Sequence, residues 1–133
     1  MAVLDNDRAV YVAQVPSPYA MRMFTEVGRR DSVHALLKRA GMPASNENSL
    51  TTPEALIRDI ELSRSRGYAL DEGEQEIGVR CFAVPVPDAP ALTAISISGP
   101  AARLTLKSST KVTPLLKRVA RDIASEFDRE AAV

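Results

Sequence analysis

A short run of acidic residues lies directly before the only cysteine of the chain. The stretch DEGEQEIGVRCFAVPV, residues 71–86, begins with carboxylates and glycine and continues as a β-rich run that contains Cys81. Such a pairing could supply a nucleophilic thiol, carboxylates for general acid–base chemistry, a metal ligand set or the wall of a small-molecule pocket. The types of the surrounding residues help to distinguish these four possibilities.

The sequence contains few residues that could ligate a metal ion together or act as partners of a catalytic residue. A zinc site needs about four Cys, His or carboxylate ligands, whereas Cys81 and the single histidine, His34, fall in different predicted elements. No residue beside His34 is an evident partner to orient it as the base of a Cys–His pair. The acidic turn, residues 71–78, lacks EF-hand spacing because Gly73 falls at its third position. Clustered acids in a turn are mostly solvated, so we expect no metal, no cofactor and no catalytic site.

Two β-rich runs place a thiol and two hydroxyls in alternating positions. Side chains alternate between the faces of a strand, so Ser96 and Ser98 in LTAISISG share one face. By the same alternation, Cys81 in GVRCFAV points away from the face of Phe82. A single sheet face could therefore gather these groups with room above them for a small molecule. The alternative is that the serines face water and Cys81 lies in the core.

The order of β-rich and helical patterns predicts an α+β fold. MAVLD and AVYVAQV form a predicted hairpin around NDR, and MRMFTEV follows as a third strand. Two helices follow, one starting at Asp31 or Ser32 and one with Thr52 as its N-cap and Gly67 just past its end. The strands YALD, GVRCFAV and ALTAISIS precede a C-terminal helix from about residue 108 to about residue 129. The order βββ-αα-βββ-α predicts a mostly antiparallel sheet of about six strands flanked by helices.

Length, charge and cysteine content exclude other classes. The chain has 133 residues, the size of one domain, so we expect residues 1–133 to form a single domain. With 17 basic and 17 acidic residues the net charge is zero, whereas a free-standing nucleic-acid-binding protein is usually basic. No apolar run approaches the roughly 20 residues of a membrane span. A lone cysteine fits a reducing compartment, so we expect a cytoplasmic protein without membrane contact.

Two motifs resemble the effector-binding (C-terminal) domain of IclR-family bacterial transcriptional regulators. The family pattern consists of an RGYA-D-x-E-x-x-x-G-V-x-C-x-A-x-P-V run and a later S-x-S-G-P-x-x-R run. Its anchors are present as RGYALDEGEQEIGVRCFAVPV, residues 66–86, and SISGPAARL, residues 96–104. The resemblance covers nearly the whole chain and implies a GAF-like fold with no enzymatic activity. It also implies a small effector, often an organic acid, at the positions of Asp71, Cys81, Ser96 and Ser98.

The resemblance also implies partners and a wider domain organisation. Family members carry a winged helix-turn-helix domain before this region, which is absent here, so DNA would be contacted only through such a domain in a homodimer or homotetramer. Members also carry a loop and helix after the residues matching GRR. Here Arg30 runs directly into Asp31, which marks a possible missing segment. Two alternatives remain: a ligand-free oligomerisation module of the same family, or a small enzyme that uses Cys81.

Overall fold

The computed structural model describes residues 2–5, 8–11 and 41–131. Its elements are β1 (Ala2–Asp5), β2 (Arg8–Tyr11), α1 (Pro53–Arg66), β3 (Ala69–Asp71), β4 (Val79–Pro85), β5 (Thr93–Pro100), a 3₁₀ turn (Leu106–Ser108) and α2 (Ser109–Ala131). The predicted α+β class is confirmed. The predicted strand MRMFTEV and the predicted helix that begins at Asp31 or Ser32 lie outside the described residues.

The five described strands form one sheet in the order β2-β1-β5-β4-β3. Every neighbouring pair is antiparallel, including the predicted β1–β2 hairpin, in which Ala2 lies opposite Tyr11. The N-terminal hairpin joins the later strands through β1 and β5, with Ala2 opposite Ala94 and Val3 opposite Thr93. The antiparallel sheet is thus as predicted, with five strands described where the sequence predicts about six.

Local capping signals explain the limits of α1. The Thr52 hydroxyl accepts a hydrogen bond from the Ala55 N–H at 3.2 Å. Pro53 lacks a backbone N–H and occupies the first turn, where an N–H would have no acceptor within the helix. At the other end Gly67 has φ 74°, in the left-handed region that favours glycine, and its N–H donates to the Ser63 carbonyl. Both predicted ends of this helix are confirmed.

The hydrophobic core lies between α2 and one face of the sheet. Phe82 and Val84 are the largest fully buried side chains. Val84, Val86, Ile95 and Ala120 form the core cluster, and one stripe of α2 packs against it. The helical spacing in the sequence predicts a face of Leu116, Val119, Ile123 and Phe127. Leu116, Ile123 and Phe127 lie in the stripe as predicted, whereas Val119 is 39% exposed, so its inclusion was wrong. No helix within the described ranges is long and apolar enough to cross a membrane.

Candidate ligand site

The sheet face opposite α2 carries small and polar side chains. Residues directly opposite each other on neighbouring strands point to the same face. Asp71 lies opposite Cys81, and Cys81 lies opposite Ser98, so the three form one row across β3, β4 and β5. The next row on the same face consists of Ala69, Ala83 and Ser96. The four sequence-predicted site residues therefore share a single face, which we call the small-residue face.

Burial differs between the two faces in the middle of β4 and β5. Phe82, Val84 and Ile95 point toward α2 and are buried, whereas Cys81 and Ser96 are half-buried and Ser98 is exposed. Cys81 is therefore not a member of the core cluster under α2. The described side chains around Cys81 on this face, Ala69, Ala83, Ser96 and Ser98, are all small.

Strand spacing sets the size of molecule that this face could hold. Neighbouring strands lie about 4.8 Å apart, so Asp71 and Ser98, two strands apart, are separated by roughly 10 Å. Ser96 and Ser98 are separated by roughly 7 Å along β5. A molecule with several non-hydrogen atoms could contact the carboxylate and both hydroxyls at once.

The thiol of Cys81 is held in its neutral form. Burial raises the pKa of Cys81, hydrogen bonds with Ser98 and Ser96 partly oppose that rise, and the Asp71 carboxylate adds to it. A reactive cysteine requires a lowered pKa from nearby cations or a helix N-terminus. This environment has the opposite effect, so Cys81 is suited to line a site rather than to attack a substrate.

Asp71 shapes the acidic turn that borders the face. Its Oδ1 accepts hydrogen bonds from the backbone N–H groups of Gly73 at 3.0 Å and Glu74 at 2.9 Å. Gly73 has φ 84°, a conformation that side chains other than glycine's rarely adopt. One carboxylate oxygen of Asp71 thus fixes the turn through backbone donors.

A loop distant in sequence holds the same turn from outside. The Asn46 side-chain amide donates to the carbonyls of Gly73 at 2.9 Å and Glu74 at 3.1 Å. The Ser49 hydroxyl donates to the Glu74 carbonyl at 2.7 Å. The roles of Asn46 and Ser49 are not evident from the sequence, because a polar loop carries no pattern that indicates a contact partner about 25 residues away.

Glu74 is the carboxyl group of the acidic turn whose pKa is strongly shifted. Burial, followed by the negative charges of Asp71, Asp59 and Glu72, raises the pKa of Glu74 to about 7, and Arg66 acts in the opposite direction. Arg66 is itself paired with Asp59 at 3.2 Å. The acidic turn therefore carries a carboxyl group that changes charge near neutral pH.

Arg80 connects the acidic turn to the loop after β5. Its guanidinium donates to the carbonyls of Ala101 at 3.1 Å and Leu104 at 2.9 Å, and it also pairs with the Glu72 carboxylate. The Arg80 side chain is largely buried, so these bonds stabilise its charge in place of water. No sequence pattern singles out Arg80, which occupies a variable position of the motif.

The metal and Cys–His hypotheses gain no support from the part of the chain that the structure describes. Within residues 2–5, 8–11 and 41–131, no group of three or more His, Cys, Asp or Glu side chains could hold a metal ion. His34 lies outside these ranges, so its distance from Cys81 is not described.

Comparisons with known proteins identify the family. Residues 29–125 match the family model described as bacterial transcriptional regulator IclR C-terminal. The regulator KdgR of Escherichia coli K12 is 31% identical over 147 residues, covering 96% of this chain and 56% of KdgR. The solved C-terminal domain of E. coli KdgR has a TM-score of 0.77 and 29% identity, covering 95% of this chain and 84% of that domain. The PobR inducer-binding domain from Acinetobacter, solved with 3-hydroxybenzoic acid, has a TM-score of 0.71 and 22% identity. That match covers 92% of this chain and 85% of the PobR domain.

The chain belongs to the IclR family of bacterial transcriptional regulators and corresponds to its C-terminal, effector-binding domain. The similar proteins are named as transcriptional regulators rather than enzymes, so the enzymatic alternative based on Cys81 is not supported. The chain spans about half the length of the curated relatives that it matches, with 56% of KdgR covered.

Proposed function

We propose that the chain senses a small organic acid on the small-residue face and thereby controls DNA binding by a larger regulator. The observation that carries the proposal is the row of Asp71, Cys81 and Ser98 across three strands, with Ser96 beside it. The PobR inducer-binding domain, which has a similar fold and was solved with 3-hydroxybenzoic acid, supports the ligand class.

Each residue has a distinct role in this proposal. The hydroxyls of Ser96 and Ser98 donate to the ligand carboxylate, since a carboxylate accepts several hydrogen bonds. Asp71, when ionised, repels a carboxylate, so its second oxygen accepts from a ligand hydroxyl. Cys81 lines the site between them as a neutral, half-buried side chain.

The proposal extends to the assembly and to the rest of the regulator. The sensing domain forms a homodimer or homotetramer in the bacterial cytoplasm, has the GAF-like arrangement of about six strands, and reaches DNA only through an N-terminal domain. Residues 1–133 act as one domain that lacks a segment between Arg30 and Asp31. The KdgR alignment supports this shortening: it extends over 147 residues while the chain has 133, so KdgR contributes positions without a counterpart here.

A second candidate is a ligand-free oligomerisation module of the same family. The observation that favours it is the exposure of Ser98, together with the positions that the relatives have and this chain lacks. A site with less cover would bury less of a ligand and bind it more weakly.

Calorimetry and thermal melts with small carboxylic acids, 3-hydroxybenzoate and hydroxylated aliphatic acids among them, distinguish the two candidates. A sensing domain binds at least one acid, and Ser98→Ala weakens that binding by about 1–3 kcal/mol because a polar group of the ligand loses its partner. The melting temperature without ligand stays unchanged, since the Ser98 side chain is exposed.

The exposed Ser65 on α1 provides the matched control, and Ser65→Ala leaves the affinity unchanged. If no acid in the panel binds, the ligand-free module is favoured. If an acid binds equally well to Ser96→Ala, Ser98→Ala and Cys81→Ala, the site lies elsewhere.

A further inference from the structure

Charge is unevenly distributed along a chain whose net charge is zero. Between Asp88 and Asp122 there are six basic residues and no acidic one. The basic residues are Arg103, Lys107, Lys111, Lys117, Arg118 and Arg121. The acidic turn, residues 71–78, has four carboxylates and no basic residue. Segregation of this kind creates complementary fields on one molecule.

The outer face of α2 combines positive charge with exposed apolar side chains. Thr113 and Ala120 are buried toward the sheet, whereas Lys111 and Arg118 are exposed on the opposite side of the helix. Leu115 is 51% exposed and Val119 is 39% exposed. Residues three and four positions apart are neighbours on a helix surface, so Lys111, Leu115, Arg118 and Val119 form one patch. We call this patch the basic helix face.

The acidic turn has the complementary character. Glu76 is exposed, and Ile77 beside it is 60% exposed. Among the described residues, no large apolar side chain is more exposed than Ile77. The backbone behind them is fixed by the bonds from Asn46 and Ser49 and by Asp71. A preorganised loop loses little conformational entropy when it docks.

Both surfaces lie at the same end of the sheet. Val79 at the start of β4 pairs with Pro100 at the end of β5, and the Ala101 N–H donates to the Gly78 carbonyl at 2.7 Å. The 3₁₀ turn and the start of α2 follow within a few residues. In a two-fold dimer, each copy could therefore present its acidic turn to the other copy's basic helix face, which is a closed arrangement.

We propose that the acidic turn of one copy docks on the basic helix face of a second copy, an inference that rests on the self-association included in the proposed function. Ile77 packs against Leu115 and Val119, while Glu76 lies near Lys111 and Arg118. An apolar centre bordered by opposite charges is the usual composition of a protein interface, and the charges fix its register. A nucleic acid partner is disfavoured because exposed leucine and valine side chains offer nothing to a phosphate backbone.

Sedimentation velocity of the whole chain at micromolar concentration tests the interface without any effector. We expect a dimer that weakens as NaCl rises from about 0.05 to about 0.5 M, because screening reduces the attraction between the charges. The double variant Lys111→Glu/Arg118→Glu is expected to raise the dissociation constant at least about tenfold, and Glu76→Lys to act in the same direction. Arg64→Glu, which reverses an exposed charge on α1, is the control and leaves association unchanged.

Mixing the two charge-reversed proteins provides the decisive measurement. A copy with Lys111→Glu/Arg118→Glu and a copy with Glu76→Lys are expected to associate with each other more strongly than either does with itself. This rescue distinguishes a lost contact from misfolding, which circular dichroism also checks. The proposal is overturned if the wild type is monomeric, if reversal at both surfaces leaves association unchanged, or if the mixture shows no rescue. Binding of duplex DNA that is abolished by Lys111→Glu/Arg118→Glu would assign the face to nucleic acid instead.

Discussion

At the residue scale, the behaviour of Cys81 follows from its neighbours on the small-residue face. Burial raises the pKa of the thiol, and the nearby Asp71 carboxylate disfavours a thiolate further. We expect Cys81 to react with a disulfide reagent more slowly than a free cysteine at neutral pH, because the thiolate is the reactive form. Stopped-flow absorbance gives the rate, with Cys81→Ser as the unreactive control.

The same measurement bears on the enzymatic alternative. The reaction rate should keep rising with pH beyond the ordinary cysteine range. A fast reaction with an apparent pKa below that of a free thiol would contradict the inert role and restore a nucleophile as a hypothesis.

Glu74 predicts a pH dependence of stability. Its folded-state pKa is raised from 4.5 to about 7 by burial and by Asp71, Asp59 and Glu72, so the folded protein binds more protons than the unfolded chain between these values. The contribution of Glu74 is therefore most favourable below pH 4.5 and is lost as the pH rises through 7. We expect Glu74→Gln to reduce this loss, and so to be more stable than the wild type above pH 7.

Urea unfolding across this pH range measures the effect. Glu61→Gln removes a carboxylate from an exposed position of α1 and serves as the control. If the free energies of unfolding of the wild type and Glu74→Gln follow the same pH profile, Glu74 does not titrate in the folded protein near neutral pH.

At the scale of elements, α1 is a well-capped helix with a half-buried apolar face. The spacing of Leu56, Ile57 and Ile60 predicts one apolar helical face. These residues are half-buried while Arg58 and Glu61 are exposed, so the predicted phase is confirmed. No residue of α1 is fully buried. If this face were fully buried, as its spacing alone predicts, deleting one of its aliphatic side chains would cost about 2–4 kcal/mol.

Partial burial lowers that expectation. We expect Leu56→Ala or Ile60→Ala to lower the free energy of unfolding by about 1–2 kcal/mol, since less apolar surface is returned to water. Leu62→Ala, at a position 57% exposed on the same helix, is the matched control and should have almost no effect. Chemical denaturation measures all three, and equal losses at the half-buried and exposed positions would show that the phase is wrong.

At the scale of the whole molecule, neutral net charge limits contact with DNA. With 17 basic and 17 acidic residues the chain lacks the excess positive charge that drives phosphate binding. We expect no sequence-specific DNA binding by this chain at nanomolar concentration in a gel-shift or anisotropy titration. Specific, salt-sensitive binding to one duplex over a scrambled duplex would contradict the proposal that DNA is reached only through another domain.

Local sequence signals determined the individual elements. Thr52, Pro53 and Gly67 fixed both ends of α1 because caps act through bonds within a few residues. The alternation around Cys81, Ser96 and Ser98 correctly separated one sheet face from the other, because strand parity is a local property. The motif resemblance identified the family, and the family model confirms it.

Tertiary structure decided which of these elements meet. The pairing of β1 with β5 brings residues about 90 positions apart together, and no local pattern specifies such a pairing. The contacts of Asn46 and Ser49 with the acidic turn, and of Arg80 with Glu72 and Leu104, are likewise long-range. Parity placed Cys81 and the serines on one face, but only the packing of α2 against the other face showed which side is core. Burial depends on what covers a face, and that is a property of the assembled fold rather than of any short stretch of sequence.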